Sequence, residues 1–249
     1  MTFRSLALLA CAVSLAACEK NGVQDITGTP PGASVMFFNF GVGAPAVNFY
    51  ANDTKMTAIS SSSGVESTKG TTYGGVGAGG NYTGIAPGQY TLSGRIAADT
   101  AAHPAISSLS ADLEDGKYYS FFQSGVYDAG ANTVDAFIVE DPLPPQDFTV
   151  AYVRFVNTIS NSDPMTLYAT NETTSEETAV GAEISYKGAG DFTALPAGVY
   201  DLATRTSGST TNVITRTAVS FSAGKVYTIS AAGDMTVVDS PYLDNTDNR

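Results

Sequence analysis

From residue 34 onward, apolar positions come in short alternating runs split by Gly, Pro, Asn and Asp, and no stretch carries a 3.6-residue apolar period. Residues 89–96 and 199–206 alternate so that Tyr90 with Leu92, and Tyr200 with Leu202, fall on one strand face. Residues 106–113, 118–122, 213–221 and 226–230 read as further strands. Gly116-Lys117 and Gly224-Lys225 read as the hairpin turns that join them in pairs. Pro87-Gly88 and Ala197-Gly198 read as tight turns. Roughly seven short strands in ~110 residues, with a turn every ~8–12, predict an all-β fold of immunoglobulin-like antiparallel β-sandwiches.

The pattern occurs twice. Met36-Phe37-Phe38-Asn39 parallels Arg154-Phe155-Val156-Asn157, and Tyr50-Ala51 follows the first Asn at the same separation as Tyr168-Ala169 follows the second. Residues 82–90, ending Pro87-Gly88-Gln89-Tyr90, match residues 192–200, ending Ala197-Gly198-Val199-Tyr200. Gly116-Lys117-Tyr118-Tyr119 matches Gly224-Lys225-Val226-Tyr227. Ordered blocks at slowly shrinking offsets are the mark of a tandem duplication with loop-length drift. Each Asn closes a β run, where its amide can satisfy backbone groups of the turn. Six tyrosines recur in both copies (50, 90 and 119; 168, 200 and 227), which points to structural roles for them.

The two copies span residues 34–139 and 150–239. Between them, residues 140–149 carry Pro142, Pro144 and Pro145, the composition of an extended, semi-rigid connector that restricts the relative orientation of the sandwiches. Residues 240–249 are polar and read as a frayed tail. The Asn-terminated run, the Tyr-Ala strand, the Pro-Gly-x-Tyr turn and the Gly-Lys-x-Tyr block together resemble an uncharacterised bacterial extracytoplasmic domain, the domain of unknown function forty-three ninety-seven. That resemblance implies tandem sandwiches behind a lipid-attachment site, and no established activity. Its members more typically carry an acidic strand of the Asp-Val-Tyr kind. Here that position reads Ala46-Val47-Asn48-Phe49-Tyr50 in one copy and Pro164-Met165-Thr166-Leu167-Tyr168 in the other, without the acid.

The first residues differ in kind. Arg4 precedes a short apolar run that ends in Leu15-Ala16-Ala17-Cys18, the pattern of an export leader over residues 1–17 and too short for an ordinary spanning helix. The ending resembles a bacterial lipobox, with Leu15, Ala16 and Ala17 as the signal-peptidase recognition residues. The resemblance implies cleavage before Cys18, diacylglycerol on its sulfur and an acyl chain on its amine. An ordinary secretory leader with a chance cysteine is the alternative. Leu9-Ala10-Cys11 imitates the motif, but the apolar run before it is too short, so Cys11 leaves with the leader. No intrachain disulfide then remains possible. At ~0.8 kcal/mol per buried methylene, three acyl chains anchor a protein essentially irreversibly. Residues 18–33 are polar and end in Pro30-Pro31-Gly32, a flexible tether that sets distance from the membrane. By resemblance to enterobacterial lipoproteins, Glu19 in place of an aspartate leans towards the outer membrane.

Charge narrows the partners. Lys and Arg number 12 against 24 Asp and Glu, a net charge of −12, and loss of Arg4 makes it one unit more negative. Such a chain is repelled by phosphate backbones and by anionic headgroups, which excludes nucleic acid and leaves the lipid as the membrane contact. With one His, two Cys and no Trp, little remains for metal or nucleophilic chemistry. His103, beside Pro104, reads as an exposed loop residue; a catalytic reading needs an orienting acid and a nucleophile that nothing picks out. The run Gly75-Val76-Gly77-Ala78-Gly79-Gly80 imitates a dinucleotide loop, but a strand-like Asn81-Tyr82-Thr83 follows where a helix is required, so it reads as a hairpin or bulge. Asp112, Glu114 and Asp115 could supply oxygens to Ca²⁺. Copy two has Ser222 and Ala223 in place of the last two, so no shared metal site or cofactor is expected. The tyrosines found in one copy only, Tyr73, Tyr82, Tyr127, Tyr152 and Tyr186, are the candidates for surface contacts.

These features predict a lipid-anchored cell-envelope protein without catalytic role, a binding or adhesion module for a glycan or an envelope protein. The alternative is a scaffold or assembly subunit of an envelope complex. A Cys18→Ala variant is expected to leave the membrane fraction and appear in the periplasm or medium, read by fractionation and blotting; continued flotation with membranes contradicts the anchor.

Overall fold

A computed structural model describes residues 32–58, 68–97 and 104–249. The leader, Leu15, Ala16, Ala17, Cys18 and His103 lie outside the described residues, as does the tether up to residue 31. Copy one runs through β1 (Ala33–Val42), β2 (Val47–Ala51), β3 (Thr54–Lys55), β4 (Gly75–Val76), a 3-10 turn at Gly77–Gly80, β5 (Thr83–Ile85), β6 (Gly88–Ile96), β7 (Ala105–Leu113), β8 (Tyr118–Asp128) and β9 (Thr133–Glu140). Copy two runs through β10 (Val150–Asn157), β11 (Met165–Asn171), β12 (Glu177–Ile184), β13 (Thr193–Pro196), β14 (Gly198–Thr206), β15 (Ile214–Phe221), β16 (Val226–Ala232) and β17 (Tyr242–Asp247).

The described strands form four sheets, two per copy. Copy one has β4-β1-β8-β9, with β5 also on β1, opposite β3-β2-β6-β7. Copy two has β13-β10-β16-β17 opposite β12-β11-β14-β15. The orders correspond, β1 with β10, β5 with β13, β8 with β16 and β6 with β14; of the described strands, β4 alone is matched by no strand but by the isolated bridge of Val156 with Ala189. The duplication read from the sequence is therefore a duplication of topology. Most pairs are antiparallel, but the opening strand of each copy lies parallel to a later one: Val35 opposite Tyr119 in copy one, and Val153 opposite Tyr227 in copy two.

Two expectations are corrected. Gly116-Lys117 and Gly224-Lys225 are not hairpin turns. The strand before each belongs to one sheet and the strand after it to the other, so each is an arch that closes the sandwich. Gly116 and Gly224 sit at the bend with φ of +74° and +83°, a left-handed conformation open to glycine at little cost. The tail is not frayed. Residues 242–247 form β17, paired to β16 from Tyr227–Asp247 to Ala232–Tyr242, and Leu243 enters the core of copy two.

Each copy has its own core. In copy one, Phe37 stacks on Phe49 at 5.2 Å between ring centroids, and Phe121 closes the cluster at 5.6–5.8 Å. In copy two the corresponding positions are Phe155, Leu167 and Ile229, all buried. A third apolar cluster lies between the copies. Met36, Phe38, Phe40, Phe122 and Phe137 of copy one meet Val156 and Ala232 of copy two. Phe38 and Phe137 both stack against Phe122, at 4.4 and 5.0 Å. The strands β1 and β8 are thus buried on both faces, which is why Met36-Phe37-Phe38 and Phe121-Phe122 run apolar without alternation. The sheets carrying β1 and β10 are the seam sheets, and the other two are the outer sheets.

One end of the seam is ionic. Arg154 on β10, where copy one has Met36, is fully buried together with Asp141, and its Nη2 donates to Asp141 Oδ1. Nη1 donates to Glu140 O at 3.2 Å and Nε to Thr228 Oγ1 at 3.0 Å. The guanidinium lies 4.8 Å from the Phe192 ring centroid. The other carboxylate oxygen of Asp141 accepts from the hydroxyls of Tyr82 and Ser120, both at 2.7 Å. Asn248 joins the two halves, donating to Tyr82 Oη at 2.9 Å and accepting from Thr228 Oγ1 at 2.6 Å. Burying two ions costs several kcal/mol each, and the pair is tolerable when the polar atoms around it find partners, as each nitrogen of Arg154 and each carboxylate oxygen of Asp141 does here.

Arg154→Met installs copy one's residue but leaves the Asp141 carboxylate buried without a cation. It is expected to lower unfolding free energy by ~3–5 kcal/mol, read by urea unfolding. The double variant Arg154→Met/Asp141→Leu should recover part of that loss, because it removes both charges.

Candidate functional site

The six recurring tyrosines do the same work in each copy. Tyr90 donates to Ala86 O at 2.9 Å, and Tyr200 to Pro196 O at 2.7 Å, closing the turn before each strand. Tyr119 accepts from Glu114 N, and Tyr227 from Ser222 N, both at 3.1 Å, which pins each arch. Tyr50 and Tyr168 lie on the outer sheets beneath Arg95 and Arg205, each guanidinium 4.4 Å from the ring centroid. Arg205 also forks onto Glu177 at 2.6 and 2.7 Å, and these hydrogen bonds hold the Glu177 carboxyl below its ordinary pKa. Asn39 and Asn157 are fully buried, and each accepts from the backbone N–H two residues on, of Gly41 and Ile159. Asn157 closes β10 as expected, but Asn39 does not close β1, which runs on to Val42 along its ladder with β8. The shared motif residues build the frame.

The copy-specific tyrosines behave differently. Tyr82 and Tyr186 are turned into the seam rather than presented to a partner. Tyr82 belongs to the ionic network. Tyr186 of copy two shares a 3.1 Å hydrogen bond with Ser124 of copy one and donates to Asp135 at 3.1 Å, beside the Lys187–Asp135 ion pair. Tyr73 of copy one, 37% exposed, stands edge-on to Tyr242 of copy two. Tyr127 is half-buried and bonded to Asn132. Tyr152 is half-buried on β10, on the same strand face as Arg154. Three of the five therefore lie at or beside the contact between copies. The duplication supplies the physical reason: what differs between copies includes what each must present to the other.

The outer sheets face away from the seam. Over β6 and β7 the outer sheet of copy one carries an open depression of about 330 Å³, lined by Asn52, Gln89, Thr91, Ser110 and Asp112 with the backbone neighbourhood of Tyr90 and Ala111. Gln89 stands opposite Asp112, and Thr91 opposite Ser110, so four polar side chains form a square on one sheet face. Asn52, in the left-handed region at φ +52°, fixes the rim: its Oδ1 accepts from Thr91 N at 2.9 Å, and its own N donates to Thr91 O at 2.8 Å. Copy two has Val199, Asp201, Ala218 and Ser220 at the four positions of the square. There the Asp201 carboxylate is taken up by Ala218 N at 3.1 Å, and Ala218 itself is in a left-handed bulge at φ +56°. Sequence reasoning passed over the depression of copy one because Gln, Thr, Ser and Asp on a strand face read as an ordinary wetted surface.

A groove of about 260 Å³ opens at the ionic end of the seam, near Tyr82, Asn248, Lys225 and Arg249. Its charged groups are already engaged: Lys225 pairs with Asp247 at 2.7 Å, and Arg249 donates to Pro144 O at 2.7 Å. The glycine run at 75–80 is split between β4, which pairs with β1, and the 3-10 turn; no helix follows it. Glu114 pairs with Lys117 at 2.9 Å and Asp115 accepts from Gly32 N at 2.6 Å. Among the described residues no group of three His, Cys, Asp or Glu is placed to hold a metal ion, and no helix is long and apolar enough to cross a membrane.

The topology defines a protein of two tandem β-sandwiches with equivalent strand orders. Residues 33–168 and 151–249 each match the family described as Domain of unknown function (DUF4397), and the chain belongs to that family. No curated protein matches the chain. Among solved structures, it is similar to a candidate cell adhesion protein from Bacteroides ovatus ATCC 8483, at 12% sequence identity and a TM-score of 0.23, over 89% of this chain and 99% of that one.

Burial raises the pKa of the seam tyrosines Tyr82, Tyr186 and Tyr242, and takes Tyr186 up to about 12 from an ordinary 10.0. Unfolded tyrosines release their protons near pH 10. The folded seam retains them, so this contribution to stability is fully present below pH 10 and is lost as pH rises through about 12. Urea unfolding at pH 8 to 11.5 should show a fall in stability beginning near pH 10, and Tyr186→Phe should make that fall shallower.

Proposed function

We propose that this chain is a lipid-anchored, non-catalytic binding module of the cell envelope, held at Cys18 and carried on the tether of residues 18–33. The observation that carries the reading is the seam. It joins two sandwiches through a third apolar core and a closed ionic network, and it leaves both outer sheets facing away as fixed surfaces. Fixed surfaces lose little conformational entropy when a ligand docks, and this suits recognition. The deepest charged side chains, Arg154 and Asp141, answer each other and hold no acid–base pair in reserve for chemistry. The leader, the Leu15-Ala16-Ala17-Cys18 ending and Glu19 support a location in the envelope, with the outer membrane favoured.

A second reading, an assembly subunit of an envelope complex, is favoured by apolar side chains at one end of the molecule. Val126 at the end of β8 is 51% exposed, and Val237 and Val238 in the loop after β16 are 52% and 88% exposed. The test pairs two measurements on the full chain. Detergent-solubilised protein is applied to arrays of envelope glycans and polymers, and living cells are crosslinked. Retention of a glycan or polymer is the expected result. One stoichiometric protein partner, with the array blank, replaces the first reading by the second. Blank results in both remove both.

A further inference from the structure

The two outer sheets share their frame but not their surface chemistry. We propose that the depression over β6 and β7 is the ligand site of the molecule, that it takes a neutral sugar unit of a glycan, and that copy two has no counterpart. This rests on the reading of the chain as a binding module and names the place and the ligand class.

Size is the first argument. At about 330 Å³ the depression falls at the lower end of the range for small-molecule sites, room for one sugar ring with its neighbours running out into solvent. Spacing is the second. Cross-strand partners stand ~5 Å apart and same-face neighbours along a strand ~7 Å apart, so the square of Gln89, Asp112, Thr91 and Ser110 has the dimensions over which a pyranose spreads its hydroxyls. The third is the mixture of groups. A sugar hydroxyl both donates and accepts; the Asp112 carboxylate accepts, the Gln89 amide does either, and the two protein hydroxyls adapt. Among the described residues no hydrogen bond occupies the side chains of Gln89, Ser110 or Asp112, which leaves all three to face a ligand.

Charge selects within the class. Asp112 at the site and the net charge of −12 repel carboxylated and sulfated sugars. The nearest guanidinium of that sheet, Arg95, is committed to the Tyr50 ring, Asn52 O and Asp53. Copy two supplies the internal control. Val199 and Ala218 replace an amide and a hydroxyl with apolar groups, Ser220 replaces the carboxylate, and Asp201 is spent on a backbone bulge.

The experiment uses the full chain in detergent against neutral oligosaccharides (malto-, cello-, xylo- and manno-series) and uronate-bearing ones. Gln89→Val/Asp112→Ser gives copy one the residues of copy two, which the same sandwich already accommodates. Binding of a neutral series is expected. The double variant should weaken it at least tenfold with the thermal unfolding midpoint unchanged. Ser110→Ala, the milder change, should weaken it several-fold. The mirror variant Val199→Gln/Ser220→Asp should leave it as it is. Neutral binding unaffected by Gln89→Val/Asp112→Ser and by Ser110→Ala overturns the site and leaves the binding module standing. Binding confined to uronates overturns the ligand class. A blank oligosaccharide panel with retention of some other envelope polymer overturns the sugar assignment alone; a blank on every surface, with no crosslinked partner, overturns the module as well.

Discussion

Arg154 and Asp141 are taken wholly out of water, and the arrangement of the two sandwiches follows from that constraint. An ion pair in a dry setting tolerates little displacement, because each partner left alone faces a desolvation penalty of several kcal/mol. The cation comes from β10 of copy two, and the anion from the residue that follows β9 of copy one. Tyr82 and Ser120 of copy one and Thr228 and Asn248 of copy two complete the shell. Apolar contact through Phe38, Phe122 and Phe137 supplies area but little direction. The ionic end supplies direction, since its hydrogen bonds depend on the distance and angle between named groups of the two seam sheets.

How much of this could be read in advance depends on whether a feature is local. The buried asparagines, the closing tyrosines and the Gly-Lys bends are local, and their recurrence revealed the duplication and the sandwich class. Pairing is not local. Gly116-Lys117 carries the same residues whether the next strand folds back on the last or crosses to the opposite sheet, so the arch read as a hairpin. The strand at residues 242–247 was concealed because its seam-facing positions are Tyr242, Asp244 and Thr246, polar to suit a polar partner, with Leu243 its sole large aliphatic. The burial of two strands on both faces does leave a local mark. Met36-Phe37-Phe38 and Phe121-Phe122 break the period of two, which is what a strand covered on both faces does.

Divergence between the copies sorts by surface. Positions that face each copy's own core stay apolar, as Phe37 and Phe155, Phe49 and Leu167, and Phe121 and Ile229 do. Positions that face the other copy have become complementary rather than alike: Met36 against Arg154, Ser124 against Ala232, with Tyr82 and Tyr186 reaching across from opposite sides. Positions on the outer sheets have drifted apart in chemistry over a common Tyr–Arg stack. A duplicated fold can specialise in this way without risking its interior, because the two kinds of surface are carried by different sheets.

The parallel pairing of β1 with β8 bears on how the body responds to tension. β1 is the first strand among the described residues, and its ladder with β8 runs from Ser34–Tyr118 to Val42–Val126. A pull applied at residue 32 acts along β1, so the hydrogen bonds of that ladder are strained together, in shear. They cannot be peeled one after another as the rungs of a terminal hairpin would be. A load entering at residue 32 along the axis of β1 is therefore shared by the whole ladder.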